Sequence, residues 1–145
     1  MSSQNKHPAI FNLGFRPFFT GAGIFAFISI VFWLSIYASI NGLIATDIIL
    51  AVIEFNSISP FQWYAHEMIY GYSLAVIAGF LLTAVKNWTG IQTIHGYPLA
   101  LLFSLWVLAR ILWLAGDQYL FIAAFFDMFF IIGLIFSIAS PIIAT

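Results

Sequence analysis

Residues 59–90 read SPFQWYAHEMIYGYSLAVIAGFLLTAVKNWTG. The stretch places His66 and Glu67 at the head of a long apolar run that closes on Lys86, Asn87, Trp88, Thr89 and Gly90. Eighteen residues without a formal charge separate Glu67 from Lys86, close to the ~20 that an α-helix needs to cross the hydrocarbon core of a bilayer. Ser59 offers an oxygen to a backbone N–H of the first turn. Pro60 has its φ preset for the first helical position, and Gln62 completes an S-x-x-Q capping box. The stretch therefore predicts one membrane helix from about Pro60 to Val85, with its two chemically versatile side chains near one end.

The composition agrees with a lipid environment. Of 145 residues, 63% are hydrophobic, against 4 Lys plus Arg and 5 Asp plus Glu. A soluble domain of this size cannot hide so much apolar surface, because much of a small globule must face water. Cysteine is absent, which excludes a disulfide framework and a thiolate metal site. A net charge of −1 argues against a phosphate-binding surface, so no nucleic-acid partner is expected. The first apolar run is too long for a cleavable signal peptide and has no small-residue cleavage site, so it is expected to remain as the first helix.

Outward from the central stretch, three further apolar runs follow the same logic. Pro17 to Thr46 is 30 residues without a charge, enough for a tilted span of about 17–40, with Asn41-Gly42 as its stop. Pro98 opens a run to Gly116 that is interrupted only by Arg110. Asp117 and Gln118 form a turn, and a last run from Tyr119 to Ser140 carries one charge, Asp127, before Pro141 ends it. Between the first two spans, Asp47 and Glu54 lie seven residues apart on one helical face with apolar residues around them. That pattern suits a short helix along the membrane surface. The expected fold is thus all-α: a single polytopic membrane domain over residues 1–145, with four transmembrane helices (about 17–40, 60–85, 98–116 and 119–140) and one interfacial helix within 43–58.

Loop charges give an orientation. Lys6, Arg16 and Lys86 fall on one side of a four-span chain, and Asp47, Glu54 and Asp117 on the other. The positive-inside rule then puts both termini in the cytoplasm.

Charges inside a bilayer call for partners. Glu67 and Arg110 sit at matching depths, roughly 9–11 Å from their helix ends at 1.5 Å per residue, which predicts a salt bridge between the second and third helices. Its role can be structural, fixing register, or functional, in proton or ligand handling. Trp106 and Trp113 flank Arg110 at i−4 and i+3 and offer cation–π contact. Glu67, Gly71, Ala75 and Gly79 share one face, a small-residue stripe that permits close helix approach. Asp127 reads as too deep to join a Glu67–Arg110 pair; a protonated carboxyl, a relay group and a contact for helices outside this chain all suit it. His66 is either a hydrogen-bonded packing residue or a metal ligand, with Tyr70 one turn along its face. His95 lies in a loop at the opposite membrane edge and cannot share a metal with His66 in this topology. His7 is expected to face solvent. Asn87-Trp88-Thr89 matches a glycosylation sequon, but its place against the membrane makes it a chance match.

Four segments in register carry a resemblance: GFRPFF (14–19), WYAHEMIYGY (63–72), AGFLLTAVKNWTG (78–90) and GYPLALLFSLWVLAR (96–110). Together, over roughly residues 11–115, the chain resembles the NnrS family of bacterial membrane proteins. The resemblance implies a polytopic inner-membrane protein associated with haem and copper and with the response to nitric oxide. It also implies that His66, in the family's His-Glu-Met segment, is a haem or metal ligand, with His95 a weaker cofactor-binding candidate. Many relatives carry a second histidine two residues earlier, where this chain has Tyr64, which weakens a copper site needing both. Relatives also continue into further helices, so the chain looks like the N-terminal part of that architecture, with further helices or a homo-oligomer as expected partners.

Two other readings stand beside this one. Glu67, Arg110 and Asp127 could line a polar path in a transporter or channel subunit, or the chain could fold without a complete site. Nitric oxide, small and apolar, dissolves in lipid and could reach an intramembrane metal without a polar channel.

Overall fold

Ser59 starts the central helix as its chemistry requires. Its Oγ accepts from the Gln62 backbone N–H at 3.2 Å, while Gln62 Oε1 accepts from the Ser59 N–H at 2.9 Å, closing the capping box with Pro60 at the first helical position. A computed structural model describes residues 13–43 and 58–145 of the chain. Asp47, Glu54 and the interfacial helix predicted around them, like Lys6 and His7, lie outside the described residues. Among the described residues four helices are long and apolar enough to cross a membrane: α1 (Phe15–Ile40), α2 (Pro60–Thr89), α3 (Tyr97–Leu114) and α4 (Leu120–Ile143), the last entered through a short turn of 3₁₀ helix at Asp117–Tyr119. Among the described residues there is no strand. The chain is an all-α membrane protein.

The helix ends follow backbone chemistry. At the end of α1, Gly42 takes a φ of +70°; the Gly42 N–H donates to Ser39 O and the Leu43 N–H to Ala38 O, the two bonds of a Schellman motif. Helix α2 runs four residues past the expected Val85. Nothing from Lys86 to Thr89 stops it, and Gly90, at φ +69°, caps it with its N–H on Lys86 O. Pro141, expected as a terminator, lies inside the last turn of α4, which continues to Ile143. Proline removes one backbone hydrogen bond, and so near the end of the helix the two residues beyond it stay helical.

In the middle of its first half α2 departs from α-geometry. Residues Glu67–Ser73 are π-helical, and Ser73 Oγ bonds Met68 O, five residues back. Such an insertion is rare and tends to occur at functional sites. It redirects Glu67 and Gly71 toward the interior, where both are buried.

Packing is inverted relative to a water-soluble protein. Ile24, Phe27 and Phe121 are 58%, 71% and 75% exposed, while Glu67, Arg110 and Asp127 are 0%, 4% and 5% exposed. Lipid solvates apolar side chains, so tight packing and polar contacts hold the helices together. Helix α2 is central: it packs along α1 and α4, and its π-helical segment also meets α3, which lies along α4. The small-residue stripe Gly71, Ala75 and Gly79 makes the approach possible. A Cβ on Gly71 would collide with the Phe25 ring and come within 3.2 Å of Arg110 Nη1; one on Gly79 would lie 3.2 Å from the Phe18 Cβ. Phe18, Ala22 and Phe25 of α1 meet Ala75, Ala78 and Leu82 of α2 and Leu102, Trp106, Phe130 and Leu134 from α3 and α4 in one core.

Gly71→Ala is therefore expected to lower stability in detergent by about 1–3 kcal/mol, the usual cost of overpacking. Gly23→Ala, with nothing within 4 Å of the added carbon, should be neutral or gain up to about 1 kcal/mol of helix propensity. Thermal unfolding of both variants decides the point, and equal midpoints would mean that the helices do not close on Gly71.

Candidate functional site

Three helices each bring one charged side chain to a common point: Glu67 from the π-helical part of α2, Arg110 from one turn before the end of α3, and Asp127 from the first half of α4. Arg110 Nη1 donates to Glu67 Oε1 at 2.8 Å, and Nη2 donates to Asp127 Oδ1. The expected Glu67–Arg110 pair is present. The exclusion of Asp127 is corrected: it joins the same guanidinium, because the long, forked Arg side chain spans the difference in depth and serves two carboxylates at once.

His66 completes the cluster. Geometry on an ideal helix turns it about 100° from Glu67, yet its Nδ1 lies 3.1 Å from Glu67 Oε1. With Glu67 ionised, its carboxylate accepts and Nδ1 is the donor. Nε2 faces Asp127 Oδ2 at 3.8 Å. Aromatic rings hold the imidazole on both sides: Tyr70 stacks on it at 4.5 Å between centroids, and Trp113 packs at 3.8 Å. Trp113 also donates from Nε1 to Asp127 Oδ2 at 2.9 Å. Sequence reasoning paired Trp113 with Arg110; here it bridges His66 and Asp127, and only the fold shows this. Trp106, the other flanking indole, donates to Gly71 O at 3.0 Å, tying α3 to the π-helical segment.

The other candidates lie elsewhere. His95 is exposed in the loop before α3, its Nδ1 3.2 Å from Thr93 O. Arg110 lies thirteen positions beyond Tyr97 along α3, about 20 Å at 1.5 Å per residue, so His95 and His66 belong to opposite ends of the bundle. Tyr64 stacks on Trp33 of α1 at 4.9 Å, whereas His66 meets Trp113 of α3, so positions 64 and 66 face different neighbours. The groups that orient His66 are Glu67, Tyr70 and Trp113, while Tyr37 of α1 is 56% exposed.

Electrostatically the cluster holds two carboxylates against one guanidinium in an apolar medium. A proton on His66, or a bound cation, would balance the excess. His66 Nε2 and Asp127 Oδ2 would be the donors available to a metal ion here, and the imidazole alone would suit haem iron. Among the described residues no group of three or more His, Asp or Glu side chains is arranged to hold a metal ion, so further donors would have to come from outside them.

The sequence family described as NnrS protein is matched by residues 9–145. No curated protein and no solved structure matches the chain.

Removing one partner of a buried ion pair strands the other's charge, at about 3–5 kcal/mol. Arg110→Met strands two carboxylates and is expected to be the most destabilising change in the cluster. Glu67→Gln and Asp127→Asn each leave Arg110 with one carboxylate and should cost less. Unfolding midpoints in detergent give the order, and an Arg110→Met variant as stable as wild type would dissolve the network.

Proposed function

We propose that this chain, which belongs to the NnrS family, serves in the bacterial inner membrane as a haem- and copper-associated protein of the nitric oxide response. The observation that carries this reading is the His66 environment: an imidazole whose Nδ1 is held by Glu67, whose Nε2 is aimed toward Asp127, and whose surroundings hold two carboxyl groups against one guanidinium. Ligating histidines typically have one ring nitrogen oriented by a carboxylate while the other binds the metal. Imidazole suits both copper and haem iron. His66 would be the ligand, Asp127 a second donor to copper, and Glu67 the orienting carboxylate. When bound, the metal supplies a redox-active centre that can take a diatomic ligand. The protein's own residues hold the imidazole rigid between Tyr70 and Trp113 and keep the site within lipid, which dissolves nitric oxide.

A polar path through Glu67, Arg110 and Asp127 is less well supported, because these groups close on one another instead of lining a route. In orientation, both termini are assigned to the cytoplasm on the charges Lys6, Arg16 and Lys86, which puts the His66 cluster in the outer half of the membrane.

The expected outcome of His66→Ala is loss of bound haem or copper from protein that still inserts and folds, read by the haem absorption spectrum and copper content of purified membranes. His95→Ala should change neither strongly, and an unchanged spectrum and copper content in His66→Ala would make His66 a packing residue. For orientation, Asp117→Cys should react with impermeant reagents from outside in spheroplasts and Asn5→Cys only after permeabilisation; reaction of Asn5→Cys in intact spheroplasts would reverse the assignment.

A further inference from the structure

Winding with i→i+5 hydrogen bonds is rare and occurs mostly as single turns inside α-helices, so a π-helical segment needs something to hold it against regular winding. In α2 it lies between two anchored halves. The Ser59 capping box and the buried Trp63 fix the half that carries His66, and Ala75, Ala78 and Leu82 fix the other half in the core. Where the two meet, the Leu74 N–H reaches back five residues to Ile69 O.

One side chain matches this winding. Ser73 Oγ donates to Met68 O at 2.8 Å, also five residues back. In the other helices such hydroxyls reach back four: Ser39 to Ser35 O, Thr83 to Gly79 O, Ser104 to Ala100 O and Ser137 to Gly133 O. Four is the usual reach of a serine or threonine onto its own helix. In an α-wound segment the Ser73 hydroxyl would meet Ile69 O instead, so its bond to Met68 O belongs to the wide winding and favours it. Trp106 adds a hold from α3, giving its Nε1–H to Gly71 O at 3.0 Å.

The winding decides where His66 and Glu67 point. Removing the surplus residue from the turn would rotate the half that carries them by about 100° against the half packed in the core, away from Arg110 and Asp127. Ser73 stands apart from that site. It is exposed, and it lies seven positions along α2 from His66, about 10 Å at helical rise. Any effect of its hydroxyl on the imidazole therefore travels through the backbone of α2.

We infer that Ser73 is a positioning residue for the His66 site: its hydroxyl holds α2 in the wide winding that brings His66 and Glu67 onto Asp127 and Arg110. The consequence for metal binding rests on the reading of His66 as a ligand; the placing of the imidazole does not.

The test uses the whole protein in lipid nanodiscs with ring-¹⁵N histidine. The chain has three histidines, and His66→Ala assigns the signals of position 66. Ser73→Ala and Ser73→Val remove the hydroxyl, and Ser73→Thr keeps it in nearly the shape of valine. Ser104→Ala removes an exposed hydroxyl that bonds four residues back and serves as the control. In metal-free protein the two variants without the hydroxyl should shift the His66 ring signals, while Ser73→Thr and Ser104→Ala keep them at wild-type positions. Copper(II) titrations read by electron paramagnetic resonance should then show Ser73→Ala and Ser73→Val binding about five-fold more weakly, the worth of one hydrogen bond. Ser73→Thr and Ser104→Ala should bind as wild type does. His66 signals that stay in place without the hydroxyl, or move as far in Ser73→Thr as in Ser73→Val, would overturn the role of Ser73. So would equal copper affinity in wild type and Ser73→Val, where His66→Ala abolishes binding. Wild-type protein that takes no copper, with His66 signals that still follow the hydroxyl, would remove the copper reading and support Ser73 as the residue that places the imidazole.

Discussion

Bringing a guanidinium and two carboxylates out of water costs several kcal/mol per ion even after relaxation, and lipid offers no partner to soften it. Everything in the described bundle is compatible with satisfying that constraint at one point. Arg110 reaches Glu67 and Asp127 at once, and this fixes the depth and rotation of three helices relative to one another. A purely apolar interface could slide in lipid at little cost, because lipid tails and leucine side chains are equivalent neighbours. The paired charges remove that freedom.

The π-helical turn makes the pairing geometrically possible. One extra residue per turn carries Glu67 and Gly71 inward, so the backbone of α2 comes close enough for Phe25 of α1 and Arg110 of α3 to pack over Gly71 and for Trp106 to bond its carbonyl. The same arrangement commits α1 to α2 and α3 to α4. A cleft between α1 and α3 is the geometric remainder of that choice, and Arg110 borders both the charge cluster and the cleft.

His66 gains its chemical interest from this network. On its own it would be one imidazole near a helix end. Held by Glu67, aimed at Asp127 and clamped between Tyr70 and Trp113, it is oriented to a degree that a mobile side chain is not. Membership of the NnrS family makes metal association the natural reading of that orientation, and the excess of carboxylate over guanidinium works in the same direction.

Much of this was legible in residue order alone. Four apolar runs of spanning length, the capping box at Ser59, the glycine stop at Gly42 and the pairing of Glu67 with Arg110 all follow from local chemistry or from the cost of an intramembrane charge. The family was legible too, through motifs spread over most of the chain. The membership of Asp127 in the cluster, the contact of His66 with Glu67, the double role of Trp113 and the cleft beside α1 were not. Depth estimates treat side chains as points at their Cα height, and facing rules assume 3.6 residues per turn. A six-atom arginine side chain and a single π-helical turn break those two assumptions, and only the packed helices reveal where they do so.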